Sequence, residues 1–367
     1  MTILHQSIFT FALSFIVAIA LVPVAIQMAR RSRFLDHPNE RKIHQSAIPL
    51  LGGLAVYIAA SIGWLVISKT TSQTLVLLMA AGLMVLLGAL DDRYDLSFRL
   101  RLAFQFVAAG WLVFEGLGPH LFSGWLDSIF ALIWLVGVMN AMNCFDCADG
   151  VLGGTAGLAL GSYGILLVIG NQLQFSLLSV AFSGACFGFL LYNTAPARIF
   201  LGDAGSTTLG LVLGALSLET AAHPLEAPLG WVAIIPIMLP IADFVLVHVR
   251  RYRNGTRNIR DLLASTGKNH MPHRLQWLGL SSHSIALVLY LITAGLCGAA
   301  VLSNMSPYGA AALFLLSVIV IAVVEYVAVT QPEAKAYNRS NGAKSKDHDI
   351  AIKSSGSKND AIAEHGK

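Results

Sequence analysis

The sequence predicts an all-α, polytopic membrane protein of about eleven transmembrane helices, with its N-terminus outside and its C-terminus in the cytoplasm. Three observations carry that expectation. Of the 367 residues, 56% are hydrophobic and only 12% are charged, against about 25% charged in soluble domains. The apolar residues fall in repeated runs of about twenty, the length a helix needs to cross a bilayer; a membrane barrel would show alternation over about ten residues instead. Outside the last stretch of chain, 16 Lys and Arg residues occupy every second gap between runs, and Lys69 alone stands in the other gaps. Cytoplasmic loops carry that asymmetry.

In order, the runs lie at about 6–28, 50–68, 73–90, 102–116, 126–142, 151–170, 173–193, 204–219, 229–249, 284–303 and 308–330. The first is expected to stay in the membrane rather than serve as a signal peptide. No basic residue precedes it, whereas Arg30, Arg31 and Arg33 follow it, an order that leaves its N-terminus outside. Residues 1–330 therefore read as one membrane domain. From about Gln331 the chain is rich in Lys, Ser, Asp, Asn and Gly and lacks an apolar pattern, so 331–367 is expected to be a disordered cytoplasmic tail. The net charge of +4 places basic groups where anionic lipid heads and anionic substrates meet the protein, and is not a sign of nucleic-acid binding. Four cysteines suggest no disulfide framework. Cys186 and Cys297 lie within apolar runs, and Cys144 and Cys147 face a reducing compartment.

The side chains able to do chemistry gather in the same basic gaps. The first gap runs Asp36-His-Pro-Asn-Glu-Arg-Lys-Ile-His44, then Ile48-Pro49 and Gly52-Gly53. It reads either as a membrane-edge loop whose Pro49 starts a helix, or as an anion-receiving loop with Lys42 and His44 near a phosphate. The third gap places Asp91 and Asp92 side by side at the end of an apolar run, with Asp95, Arg99 and Arg101 following. Adjacent carboxylates there are costly unless a cation answers them. Arg99 and Arg101, a divalent metal or a proton relay would each do so, and mutual repulsion would suit one carboxylate to work as a base near neutral pH.

The fifth gap, Asn140-Ala-Met-Asn143-Cys-Phe-Asp146-Cys-Ala-Asp149-Gly150, concentrates oxygen donors with no basic residue among them. Hard oxygen donors suit Mg²⁺, which binds through few carboxylates plus substrate phosphates. A zinc site at Cys144-x-x-Cys147 lacks the second pair of ligands that structural zinc needs. In the seventh gap, Asp203 stands before an apolar run, where it caps a helix or takes part in chemistry. The ninth carries Asp243, the Arg250-Arg251-Tyr-Arg253 cluster, and His270-Met-Pro-His273-Arg274; Arg clusters bind phosphate through forked hydrogen bonds. Together these gaps describe a metal-dependent site for a polyphosphate substrate on one membrane face.

In their order, IPLLGG at 48–53, DDRYDLSFRLR at 91–101, NAMNCFDCADGVLGG at 140–154 and FLGDAGSTTLG at 200–210 resemble the polyprenyl-phosphate N-acetylhexosamine-1-phosphate transferase family over about residues 30–280. The pattern is most similar to the bacterial branch that moves GlcNAc-1-phosphate onto undecaprenyl phosphate. The resemblance implies a multi-pass enzyme of the bacterial plasma membrane with its active site on the cytoplasmic face. Its substrates would be a UDP-N-acetylhexosamine, most readily UDP-GlcNAc, and undecaprenyl phosphate. Its products would be undecaprenyl-diphospho-sugar and UMP, with Mg²⁺ or Mn²⁺ as cation, at the first membrane step of a cell-surface glycan.

Carried over by position, the resemblance implies that Asn143 and Asp203 hold the metal, and that Asp91 and Asp92 bind or deprotonate the lipid phosphate with Asp146 beside them. Asp149 and Phe200 would read the uracil. Lys42, His44 and Arg101 would meet phosphates, and His270, His273 and Arg274 the sugar or its phosphate. Three positions depart from the family pattern: Cys147 stands for a Gly at the nucleotide pocket, Pro272 interrupts the last His motif, and Gly267 replaces an acidic residue. The same chemistry on another UDP-N-acetyl sugar is the nearest alternative. A lipid-phosphate transporter or flippase is a remoter one, since transporters place coupling sites near the midplane and often carry internal repeats. A homodimer fits this type of membrane protein, although no self-complementary helix face argues for one.

Overall fold

The computed structural model describes residues 2–37, 47–122, 124–223, 230–253, 255–256 and 269–330. Lys42, His44, Gly267 and the tail 331–367 fall outside them. The described chain is helical: α1 (Ile3–Arg31), α2 (Gly52–Ile67), α3 (Ser72–Tyr94), α4 (Phe98–Phe114), α5 (Trp125–Phe145), α6 (Val151–Ile169), α7 (Leu173–Asn193), α8 (Gly202–Ala222), α9 (Met238–Arg253), α10 (Met271–Trp277), α11 (Ser282–Leu302) and α12 (Pro307–Thr330). A small antiparallel ladder joins β1 (Leu35–Asp36) to β2 (Ile48–Pro49), with Leu35 opposite Pro49 and Asp36 opposite Ile48.

Side-chain caps begin some of the helices. Thr71 and Thr74 satisfy each other's backbone N–H groups ahead of α3, and the Ser281 hydroxyl accepts the Ser284 N–H at 3.2 Å ahead of α11. Arg30 and Arg31 occupy the last turn of α1, where cations suit the helix dipole.

Each predicted run contains a helix, but the runs do not all have the same character. Among the described helices, α1, α3, α5, α6, α7, α11 and α12 are long and apolar enough to cross a bilayer. The 16 residues of α2 and of α9 reach about 24 Å at 1.5 Å per residue, short of a hydrocarbon core of about 30 Å. The run at 229–249 is not one helix. Two 3₁₀ turns (Gly230–Ala233 and Ile235–Ile237) precede α9, and Pro236 in the second has no N–H to donate to a continuous helix.

Helix α8 is the axis of the structure. Every residue from Ala204 to Thr220 is buried, and α2, α3, α5 and α6 pack around it. Its neighbours are held by polar contacts between small residues. From α7, Ser176, Ser179 and Ser183 donate to the carbonyls of Gly164, Leu160 and Gly157 of α6 at 2.7, 2.6 and 2.8 Å. Such contacts matter where lipid gives helices no hydrophobic reason to associate. The four cysteines are free thiols. This packing brings the C-terminal ends of α3 and α5 and the N-terminal ends of α4 and α8 together.

Candidate active site

The site begins with the end of α3. Asp95 leaves the helix in a left-handed conformation (φ 49°), which turns the chain into α4. Asp91 Oδ1 accepts the Leu96 N–H at 2.8 Å and so stabilises that turn. The turn carries Arg101, one helical turn into α4, back over the carboxylates. Its Nη1 lies 3.2 Å from Asp91 Oδ2 and 3.5 Å from Asp203 Oδ2. One guanidinium therefore answers two carboxylates, Asp91 and Asp203, from helices 112 residues apart in sequence. Arg99 lines the same space and has a largely exposed side chain.

Asp92 does something different. Its Oδ1 accepts the Asp203 N–H at 2.9 Å and its Oδ2 accepts the Ala204 N–H at 3.3 Å. A carboxylate from α3 thus caps α8, where no residue of α8's own start supplies a side-chain cap. Asp203 is in the first turn and does not cap it. Gly202 makes this approach possible. Its φ is +68°, and a Cβ there would lie 2.4 Å from Asp92 Oδ2.

The 48–53 motif fastens the loop before α8 from the other side. Phe200 N–H donates to the Pro49 carbonyl at 2.8 Å, and Gly52 and Gly53 donate to the Phe200 and Leu201 carbonyls at 3.0 Å each. The IPLLGG segment is therefore a backbone clamp, and Phe200 is half-buried where it holds.

Between α5 and α6, the segment from Asp146 to Gly150 is pinned in three places. Asp149 Oδ2 accepts the Ala197 N–H at 3.0 Å, Asn193 Oδ1 accepts the Gly150 N–H at 3.1 Å, and the Tyr290 hydroxyl donates to the Gly150 carbonyl at 2.7 Å. Asn193 and Tyr290 were not among the site residues expected from sequence. Asn193 stood in a polar gap at the end of a run, and that position was its signal. Tyr290 stands inside an apolar run and had none.

Burial first, then the charges of Asp92 and Asp149, pushes the Asp146 carboxyl up to about 7. Burial also holds the Cys147 thiol well above its ordinary value, which makes it a poor thiolate ligand or nucleophile. The backbone of Cys147 is not in the left-handed region, so the residue sits without strain where the family pattern has Gly.

These elements enclose a cavity of about 530 Å³. Its lining includes Asp91 and Asp203 with Arg101 between them, Asn143, the hydrogen-bonded pair Gln105 and Asn140 (2.7 Å), and the apolar Met84, Leu87 and Leu102. The lining thus combines charged, amide and apolar side chains. Asp92, Asp146 and Asp149 stand outside its lining, and so do His270, His273 and Arg274. His270 and Arg274 are buried against Asp243 and Glu325, and His273 is half-buried on α10. The carboxylates thus divide between the cavity (Asp91, Asp203) and its supports (Asp92, Asp149).

Among the described residues no three His, Cys, Asp or Glu side chains converge into a ready cation cage. The donor set of the lining nevertheless suits a hard divalent cation, which takes one or two protein oxygens and completes its shell from water and substrate phosphates. Asn143 and Asp203 supply oxygens there, and the Arg101 guanidinium already lies between two carboxylates.

Known proteins share much of this sequence. The glycosyl transferase family 4 pattern matches residues 74–221, the stretch that holds α3 to α8. A decaprenyl-phosphate N-acetylglucosaminephosphotransferase of Mycolicibacterium smegmatis is 30% identical over 307 residues, covering 72% of this chain and 74% of the relative. A probable undecaprenyl-phosphate N-acetylglucosaminyl 1-phosphate transferase of Bacillus subtilis is 29% identical over 293 residues, covering 77% and 80%. An undecaprenyl-phosphate alpha-N-acetylglucosaminyl 1-phosphate transferase of Escherichia coli is 28% identical over 304 residues, again covering 77% and 80%.

Proposed function

The chain belongs to the polyprenyl-phosphate N-acetylhexosamine-1-phosphate transferase family, and from that membership and the cavity geometry we propose that it transfers GlcNAc-1-phosphate from UDP-GlcNAc to undecaprenyl phosphate. An oxygen of the lipid phosphate forms a bond to the β-phosphorus of the sugar nucleotide, the bond from that phosphorus to the bridging oxygen breaks, and UMP leaves with the electron pair. The observation that carries the reading is the Arg101 bridge between Asp91 and Asp203 in a cavity whose lining also holds apolar side chains. That arrangement suits an anionic head on a hydrocarbon tail, meeting a second anion.

Phosphoryl transfer asks a protein mainly for positioning and charge neutralisation. Arg101 supplies a fixed cation that can exchange a carboxylate for a phosphate. Asp91 is the carboxylate placed to meet the lipid phosphate and take its proton. Asp92 orients the first turn of α8, and with it Asp203. Asn143 and Asp203 would hold Mg²⁺, or Mn²⁺ in its place, which when bound neutralises charge on the diphosphate. Direct attack by the lipid phosphate is favoured over a covalent intermediate on Asp92, because both of its oxygens are engaged by backbone N–H groups at the start of α8. The pinned 146–150 segment, with Asp149 and Phe200, forms the nucleotide end. Eleven spans, a cytoplasmic site, a bacterial plasma-membrane location and a tail at 331–367 complete the reading, supported by the distribution of basic residues.

Purified protein in detergent, given undecaprenyl phosphate, Mg²⁺ and a panel of UDP-sugars, provides the test. Release of UMP with UDP-GlcNAc, matched by a lipid-linked product, is expected. UMP only with another UDP-N-acetyl sugar would reassign the sugar, and no UMP with any would remove the transferase reading.

A further inference from the structure

A second charged cluster lies beyond the 74–221 segment. Asp243 of α9 accepts the Met271 N–H through Oδ1 at 2.7 Å and pairs with His270 Nδ1 through Oδ2 at 2.7 Å. It thereby holds the first turn of α10. From α10, Arg274 Nε donates to the Asn269 carbonyl at 2.5 Å, Nη1 pairs with Glu325 of α12, and Nη2 lies 3.6 Å from Asp243 Oδ1. Glu325 also receives Arg250 from the end of α9. Asp243 and Arg274 are each 1% exposed, His270 2% and Glu325 7%.

Two features set this cluster apart from ordinary surface ion pairs. Glu325 is the only charged residue of α12, an otherwise apolar helix of 24 residues, and a carboxylate on such a helix is retained only with partners. Arg274 is among the largest fully buried side chains of the molecule, so its guanidinium has no open face for a substrate. The cluster borders the proposed site. Helix α9, which carries Asp243, packs against α5, whose last turn carries Asn143 and Cys144 of the cavity lining.

We infer that Glu325 and Asp243 are positioning residues for the sugar-nucleotide end of the site, and that Arg274 is the strut between them rather than a substrate contact. Glu325 fixes the strut from the last membrane helix, and Asp243 fixes the His270 end. Together they set where α10 and His273 stand relative to the Cys144–Cys147 turn. The inference rests on the transferase reading and gives the C-terminal helix, remote in sequence from the motifs, a part in substrate binding.

Steady-state kinetics on the full chain test it, with UDP-GlcNAc and undecaprenyl phosphate varied separately. A displacement of about 1 Å at a site can cost about 10²-fold. Glu325→Gln is expected to raise KM for UDP-GlcNAc by about tenfold or more, with KM for undecaprenyl phosphate within about twofold of wild type. Glu325→Asp, which keeps the charge, should recover most of that loss. An unchanged KM for UDP-GlcNAc in Glu325→Gln would overturn the inference, and so would equal rises in both KM values, the mark of a general loss of structure. Should Glu325→Gln fail to yield monodisperse protein, Arg274→Lys decides, since it keeps the charge but loses the fork that spans Glu325 and Asp243. It must shift the UDP-GlcNAc value alone. Wild-type turnover, measured first, tests the transferase reading separately.

Discussion

Two groups of carboxylate and Arg side chains differ in what surrounds them. In the first, Arg101 bridges Asp91 and Asp203 while about a third of its own side chain and 27% of the Asp203 side chain stay exposed to the cavity. In the second, Arg274 bridges Asp243 and Glu325 with all three side chains at least nine-tenths buried. The chemistry of the pairs is alike. An open pair can trade one carboxylate for an incoming phosphate at little cost, because water and substrate reach it. A sealed pair cannot, because removing one partner strands a charge in a medium of low polarity. The open cluster is suited to bind and react, the sealed one to hold.

That contrast breaks or sharpens through substitution. Asp203→Asn should lower turnover by at least about 10³-fold, as read by UMP release, while thermal unfolding in detergent stays near wild type; it removes one of two like charges facing a single Arg. Glu325→Gln should do the reverse in stability, costing about 3–5 kcal/mol, seen as a lowered unfolding midpoint. Equal stability losses in the two variants would erase the distinction between open and sealed. Arg101→Lys keeps the charge but loses the fork, so a fall in turnover of about 10²-fold is expected with a near-normal midpoint. Tyr290→Phe removes one hydrogen bond to the Gly150 carbonyl, worth about 1 kcal/mol, and should appear as about a fivefold rise in KM for the sugar nucleotide. Cys147→Gly should matter least. Its backbone is unstrained, so added chain freedom should cost about 0.5–1 kcal/mol and shift that KM by less than about threefold.

Much of this was legible in the sequence. Apolar runs separated by basic gaps gave the helices, and the four motifs gave the open cluster, because chemistry in a membrane protein concentrates where runs end. The unread parts have definite physical causes. Capping of α8 by Asp92 spans 111 residues and depends on helix packing that no local pattern encodes. Pro236 lay inside an apolar run, and hydropathy does not register the missing N–H that divides it. Glu325 was passed over for the opposite reason. It stands within the run 308–330 rather than in a gap, and a lone carboxylate in an apolar helix is itself a sign that partners exist. His270 and Arg274, which the resemblance implies at the sugar or its phosphate, pair with Asp243 and Glu325 across a gap in sequence that no local pattern encodes.

The account rests most heavily on the open cluster being the place where lipid phosphate meets the sugar nucleotide. Single-turnover release of UMP, with enzyme in excess of UDP-GlcNAc and undecaprenyl phosphate either present or omitted, tests this most directly. Direct attack predicts UMP only when the lipid phosphate is present, in equal amount with the lipid-linked sugar. Stoichiometric UMP without lipid phosphate would contradict it, placing a carboxylate of the protein as the first nucleophile.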